Sequence, residues 1–303
     1  MDIFKGEDVL EFTKRFSDDS KCKEYLSHYK WSGGYKCLKC GHHGYQERKD
    51  FSRTCNKCSH TESASAHTMF HNQKFGLQKA FHIIFEMVNS SRGMSASQIA
   101  KRYSIARGTA HVFMHKVRVA MASTCSQAME GKVVVDEYVV GGKEEGKVGR
   151  SYNSKKKKIA IAVELTGKNK VKRIYNQVLG DFSARSIGVL FDKHIDNRKA
   201  KVTTDEWKAY DRIAREKGYD ITKLNSKENA GSAFFEIHTM IHQVKTTLRT
   251  IYAWVDKKYM QRYLDEVAFR INRSLYKDTI VDKMVQRMVS REKYTWNEIY
   301  VTN

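Results

Sequence analysis

The sequence predicts an α+β chain of several domains: a small metal-held module and a helical segment, then a larger domain built on a mixed sheet. Three observations carry this. Two C-x-x-C pairs stand at Cys37/Cys40 and Cys55/Cys58, helical periodicity runs through 70–130, and β-branched runs begin at residue 132. At 303 residues there is room for about two domains and a further small module.

Residues 1–30 form an N-terminal helical segment, with Val9, Leu10, Phe12 and Phe16 spaced for one short helix. Residues 31–69 are a separate module, rich in Cys, Gly, Lys and His over 31–62 and without helical periodicity. Each C-x-x-C pair sits on a turn that aims two sulfurs at one ion, so Cys37, Cys40, Cys55 and Cys58 predict a four-thiolate zinc ribbon. Such a site is closed and therefore structural, and it supplies folding energy that so short a segment cannot draw from a core. His42, His43 and His60 lie close by and leave a mixed Cys/His site open. Cys22 and Cys125 stand at no ligand spacing and are expected to be buried.

The third segment, 70–130, reads as helical. FGLQKAFHIIFEMVN has the spacing of a buried helix, and a turn then leads to a helix capped near Ser95. Beyond it, Ala110, Phe113, Val117, Ala120 and Met121 share one face. Short helix, tight turn, longer helix is the plan of a helix-turn-helix. In that plan Arg107, Thr109 and His111 would face base edges, and Lys116 and Arg118 phosphates. A plain helical hairpin with a solvated basic face has the same pattern.

From 132 the runs KVVVDEYVVGG, KKKKIAIAVEL and KVKRIYNQVLG read as three strands separated by turns. A helix over 183–195, a strand KVTTD, a helix near 206–216 and a strand around ITKLN follow, then long helices over 236–251 and 256–274. Three antiparallel strands, a helix, and two more strands interleaved with helices is the element order of a ribonuclease-H-like fold, here assigned to 131–303.

Charge and hydropathy narrow the function. With 55 Lys and Arg against 34 Asp and Glu, a net charge of +21 favours a polyanionic partner, because cations on phosphates release counterions. A basic protein without nucleic acid is the bland alternative. Hydrophobic residues at 41% exclude wholesale disorder. No apolar run reaches the roughly eighteen residues of a membrane span. The opening MDIFKGEDVLEFTKRF is charged throughout and reads as no signal peptide, so a reducing cytoplasm is expected and the cysteine pairs favour metal over disulfides. The basic loop Lys143–Lys158, with Lys155, Lys156 and Lys157, is expected to grip DNA backbone; a solvated loop is the alternative.

Asp136 ends a three-valine run, and Asp205 directly follows KVTT. Strands that end in aspartate can gather carboxylates at a sheet edge, the oxygen-rich setting that Mg²⁺ requires. Single strand-end aspartates are also common turn residues, and spacing alone leaves the choice open.

The segments VDEYVVGGKEEGKVGR, TTDEWKAY and HTMIHQVKTTLR, followed by YMQRYLDEVAFRINR, resemble the DDE-superfamily transposases of bacterial insertion sequences that carry an N-terminal zinc ribbon, the ISXO2-like group. The resemblance runs from the ribbon to about residue 275. It implies that Asp136 and Asp205 are catalytic and hold Mg²⁺ or Mn²⁺. The third metal-site residue would stand on a helix seven residues before a Lys or Arg, which matches His238 and Lys245. The superfamily usually has Glu there; Glu236 and His242 are rivals, and His242 also precedes Arg249 by seven. A Glu followed four and seven residues later by Arg matches Glu266, Arg270 and Arg273. Lys245, Arg270, Arg273 and Arg107 are expected on DNA, with Glu266 pairing to Arg270 in support.

The implied activity is binding of terminal inverted repeats, metal-dependent strand cleavage, and strand transfer into target DNA. A homodimer or larger assembly on DNA, in the bacterial cytoplasm at the nucleoid, is the implied setting. Two other readings stay open. One is a domesticated DNA-binding protein without catalysis, which His238 favours; the other is a ribonuclease-H-like nuclease without strand transfer.

Overall fold

The computed structural model describes residues 3–142, 155–252 and 254–300, and the chain divides into two compact units. Met1–Met121 with Arg273–Asn303 make the first, and Ala122–Asn272 the second.

Two capped helices open the first unit where one was expected. Asp8 accepts from Leu10 N at 2.7 Å and starts α1 (Val9–Arg15); Asp18 accepts from Lys21 N at 3.0 Å and starts α2 (Asp19–Lys30). A side-chain acceptor at each N-cap satisfies amides that the first turn leaves unpaired. Phe12 and Phe16 meet Phe85 and Phe81 of α3 (Leu77–Asn89) with ring centroids 4.5 and 4.9 Å apart. Three short strands between α2 and α3, β1 (Tyr45–Glu47), β2 (Arg53–Cys55) and β3 (Thr61–Glu62), pair antiparallel in that order. The helix α4 (Ala96–Tyr103) begins with a full capping box, Ser95 and Gln98, and ends at Ser104 in the left-handed region at φ 50°. Three residues later α5 (Arg107–Met121) begins, so the short helix, turn and longer helix are present.

The same unit contains α10 (Ile280–Ser290) and α11 (Trp296–Tyr300), although the sequence reading put all of 131–303 with the sheet. Ile280, Val281, Met284, Val285 and Met288 form a helical stripe that is 2% exposed or less, and Asp282 beside them accepts from the hydroxyls of Tyr25 and Tyr29. The stripe can be read in sequence; its partner cannot, because it lies some 250 residues earlier.

In the second unit β4 (Met129–Val140), β5 (Lys157–Leu165) and β6 (Val171–Leu179) run antiparallel. Then α6 (Ala184–His194) crosses to β7 (Ile195–Thr204), parallel to β4, and α7 (Ala209–Lys217) leads to β8 (Asp220–Lys223), parallel to β7. Two long helices, α8 (Phe235–Tyr252) and α9 (Met260–Asn272), end the unit. The sheet order β6-β5-β4-β7-β8, with α6 carrying the chain from the edge strand β6 to β7 beside β4, is ribonuclease-H-like. Val133 and Val135 pack with Leu190, Phe191 and Tyr210, while Val134, Ile161 and Val163 between such positions are buried as fully. Both faces are therefore covered, which is why these strands read as continuous apolar runs. The strand read as KVTTD is in fact ten residues long, its first half hidden in sequence by the exposed Asn197, Arg198 and Lys199.

Glu164 on β5 is 1% exposed and bonded to Arg173 and Lys172. Burial pushes its carboxyl up, but those two hydrogen bonds outweigh burial and hold it below the ordinary glutamate value. A depressed folded-state pKa contributes stability that is complete above the unfolded value and is lost as pH falls through the folded one. Thermal unfolding followed from pH 7 downward should therefore show a loss of Tm that begins near about pH 4.5. Glu164→Gln should flatten that loss and cost about 3 kcal/mol at neutral pH, because Arg173 keeps its bonds to the Gln127 and Ala128 carbonyls but loses its opposing charge. An unchanged Tm profile in the variant would remove this pair from the stability of the unit.

Among the described residues, no helix is long and apolar enough to cross a membrane.

Candidate active site

The parallel pairing of β4 and β7 places Val133 beside Val202 and Val134 beside Thr203. Continuing that register, Asp136 comes beside Asp205, the residue after the last of β7. Neighbouring strands lie about 4.8 Å apart, so two carboxylates in register converge at the carboxyl end of the central pair. Asp136, Asp205 and also Glu137 offer oxygens that all lie within 4.8 Å of one another, each side chain half-buried. Backbone amides steady two of them: Asp136 Oδ1 accepts from Glu137 N at 2.7 Å and Asp205 Oδ1 from Trp207 N at 3.0 Å. Behind the cluster Tyr210 is fully buried, and burial, then the charge of Glu137, raise its hydroxyl far above its ordinary value.

Glu137 was not singled out from the sequence. Adjacent residues on a regular strand point to opposite faces, so nothing in VDE suggests that both acids serve one site.

His238 on α8 sets its Nε2 3.5 Å from Asp136 Oδ2 and stacks on Phe234 at 5.9 Å between ring centroids. The bond to Asp136 raises the imidazole pKa more than burial lowers it. The rival Glu236 is half-buried on the same helix and His242 is exposed. Lys245, also on α8, is exposed with its ammonium 5.4 Å from the centre of the Tyr138 ring; burial of its stem lowers its pKa, with Asp136 pulling the other way.

Three side chains expected on DNA are turned inward. Arg270 is turned inward, its side chain 8% exposed, and it donates to Glu266 at 2.5 Å; Glu266, fully buried, also accepts from Tyr252 at 2.7 Å. The pairing expected of Glu266 is there, but Arg270 has no surface for a phosphate. Lys116 and Arg118 are likewise 9% and 1% exposed, because α5 touches α3, α4, α10 and α11 and has little solvent face. Arg107, at the first position of α5, is exposed; Arg273 is half-buried. Of the basic loop, 143–154 lies outside the described residues. Lys155 is exposed, Lys156 and Lys157 are half-buried, and Lys158 is buried within β5.

In the ribbon the sulfurs of Cys37 and Cys58 are 3.5 Å apart, and those of Cys40 and Cys55 3.6 Å. A tetrahedron of Zn–S bonds has edges of about 3.8 Å, so this donor set fits zinc. The knuckles match: Gly41 N donates to Cys37 O at 2.8 Å and Ser59 N to Cys55 O at 3.0 Å, with Gly41 and Ser59 both at positive φ. Burial would raise the Cys37 thiol, but the amides of Cys40 and Lys39 bring it down to about 6. Cys22 is buried as expected, whereas Cys125 is exposed, in the irregular stretch between α5 and β4.

A ribonuclease-H-like sheet with acids gathered at the carboxyl end of its central strands is the arrangement of the metal-dependent polynucleotidyl transferases. Residues 128–272 match the ISXO2-like transposase domain family, and that part of the chain, almost the whole second unit, belongs to it. That match supports a transposase as the class of this chain and DNA transposition as its process. Among solved structures it is similar to the "Crystal structure of a pre-cleavage Mos1 transpososome". Identity there is 9%, over 70% of this chain and 78% of that one, with a TM-score of 0.24, too loose a superposition to transfer any geometry. No curated protein matches the chain.

Proposed function

We propose that this transposase binds the terminal inverted repeats of an insertion sequence, cleaves a strand at each end and joins the freed 3′-hydroxyl to target DNA. The cluster of Asp136, Glu137 and Asp205 carries the proposal, since three half-buried carboxylates this close repel one another and suit a hard cation. Mg²⁺ or Mn²⁺ bound there supplies Lewis acidity toward phosphate oxygen and a more acidic water. Asp136 and Asp205 hold the cation. His238 is the third metal-site residue, or through its contact with Asp136 orients that carboxylate. Lys245, seven residues on along the same helix, contacts the phosphate beside the scissile bond. Arg107, Arg273, Lys155, Lys156 and Lys157 meet DNA backbone, Glu266 and Arg270 brace α9, and zinc on the four cysteines is structural. The net charge of +21 supports DNA as partner, and two element ends call for a homodimer or larger assembly, at the nucleoid in the bacterial cytoplasm.

The test is strand transfer with labelled element ends in Mg²⁺ and in Mn²⁺. Joined product is expected, more of it in Mn²⁺, because imidazole is a softer donor than carboxylate. Activity should decline on acidification as the His238 ring takes up a proton and can no longer donate its lone pair. His238→Ala should lower strand transfer by about a hundredfold and Glu137→Gln by about tenfold. The reverse order would make Glu137 the third donor. Cleavage without joining would define a nuclease, and binding alone a non-catalytic DNA-binding protein.

A further inference from the structure

The first unit holds a cleft of about 520 Å³ formed by the loop before α3, the start of α5 and the segment that carries α11. One wall is aromatic: Phe75 packs edge-on against Phe113 at 5.4 Å, and Trp296, 57% exposed, stands at the rim beside Tyr300. Tyr300 in turn holds His111 by a 2.6 Å hydrogen bond, so a side chain expected to read base edges is engaged within the protein.

The polar groups of the cleft are unusual. Lys116 lines it, 9% exposed, with one hydrogen-bond acceptor among the described residues, the Met69 carbonyl at 3.1 Å. An ammonium has three donors, so two are left to face the cleft, where the negative charge of Glu298 supports the cation. Gln73 lines it too, and its Nε2 is buried without a partner among the described residues. The unmet groups are thus all donors, and Lys74 and Lys293 add two exposed cations to the lining. A ligand that fits must bring a flat apolar face, an edge of acceptors and negative charge. A peptide brings amide donors, which do not meet the donors that Gln73 and Lys116 leave open. A nucleotide brings all three features, and the volume suits one.

We propose that this cleft takes an unstacked nucleotide of the bound DNA. Its base lies against the aromatic wall, its acceptor edge meets Gln73 and Lys116, and its phosphate meets Lys74 and Lys293. The inference rests on the reading of the chain as a DNA-binding transposase and adds a site that the catalytic cluster does not need. Stacking on an aromatic side chain compensates for the base leaving the helix, and a base that is already unpaired leaves most easily.

The test compares a duplex carrying one unpaired 2-aminopurine nucleotide with its fully paired counterpart, each titrated with the full-length protein. Wild type should bind the bulged duplex about tenfold more tightly, the scale of one stacked base. Trp296→Ala and Lys116→Met should each erase that preference and leave affinity for the paired duplex within about twofold. Trp296 is an exposed rim residue, so its removal leaves folding intact even if the buried Lys116 position does not tolerate change. A wild-type protein without the preference, or a preference that survives in Trp296→Ala, overturns the proposal. Competition by a free deoxynucleoside monophosphate at micromolar concentration, with no preference for the bulge, would assign the cleft to a soluble nucleotide and overturn the DNA source. Binding of neither duplex would sink the DNA reading itself.

Discussion

Asp136→Asn and Asp205→Asn should each abolish strand cleavage and joining, a loss of about a thousandfold or more, with end binding nearly intact. The amide keeps the shape of the carboxylate and one acceptor oxygen. The hydrogen bonds from Glu137 N to Asp136 and from Trp207 N to Asp205 therefore survive, and the strand ends stay where they are. What is lost is one negative charge and one anionic donor from a site whose fit to a cation depends on both. Neither residue lies in the first unit, where α4, α5 and the four-cysteine cluster are. The measurement is strand transfer in Mg²⁺ beside a mobility-shift titration and a Tm. Near-normal transfer by either variant would remove that aspartate from the metal site.

Cys37→Ser and Cys58→Ser should each release the zinc and unfold the ribbon. The strands there are only two or three residues long. Apart from Cys37 and Cys55, their support is mainly Arg53 lying over Trp31 and Tyr45 at 4.4 and 4.0 Å, and the Lys30–Glu62 pair at 2.6 Å. Those contacts amount to a few kcal/mol, against about 10–16 for a four-ligand zinc site. Zinc analysis should find about one ion per chain fewer than in wild type. Hydrogen exchange should show protection lost over 31–62 and kept in α3 and α5. End binding should fall more than cleavage on pre-assembled ends. Full zinc retention in both variants would overturn the four-cysteine assignment.

Much of this architecture was legible from local chemistry. The C-x-x-C spacing, the Ser95 cap and the apolar runs of β4 and β5 each depend on residues a few positions apart, and the structure has a four-sulfur cluster, a capping box and a three-strand meander at those places. Asp136 and Asp205 stood out because one ends a three-valine run and the other follows KVTT, and the parallel register brings them together. Other features needed the third dimension. A strand's alternation separates Asp136 from Glu137 on paper, whereas in the fold carboxylate oxygens of both lie within 4.8 Å of Asp205. Lys116, Arg118 and Arg270 look like surface cations because charge in a sequence implies solvent, but burial is decided by how many neighbours a helix has. The return of α10 and α11 to the first unit rests on Asp282 meeting Tyr25 and Tyr29 and on a methionine-rich stripe meeting the core. Periodicity shows that a face is apolar; only the tertiary structure decides which surface covers it, because hydrophobic burial has no direction of its own.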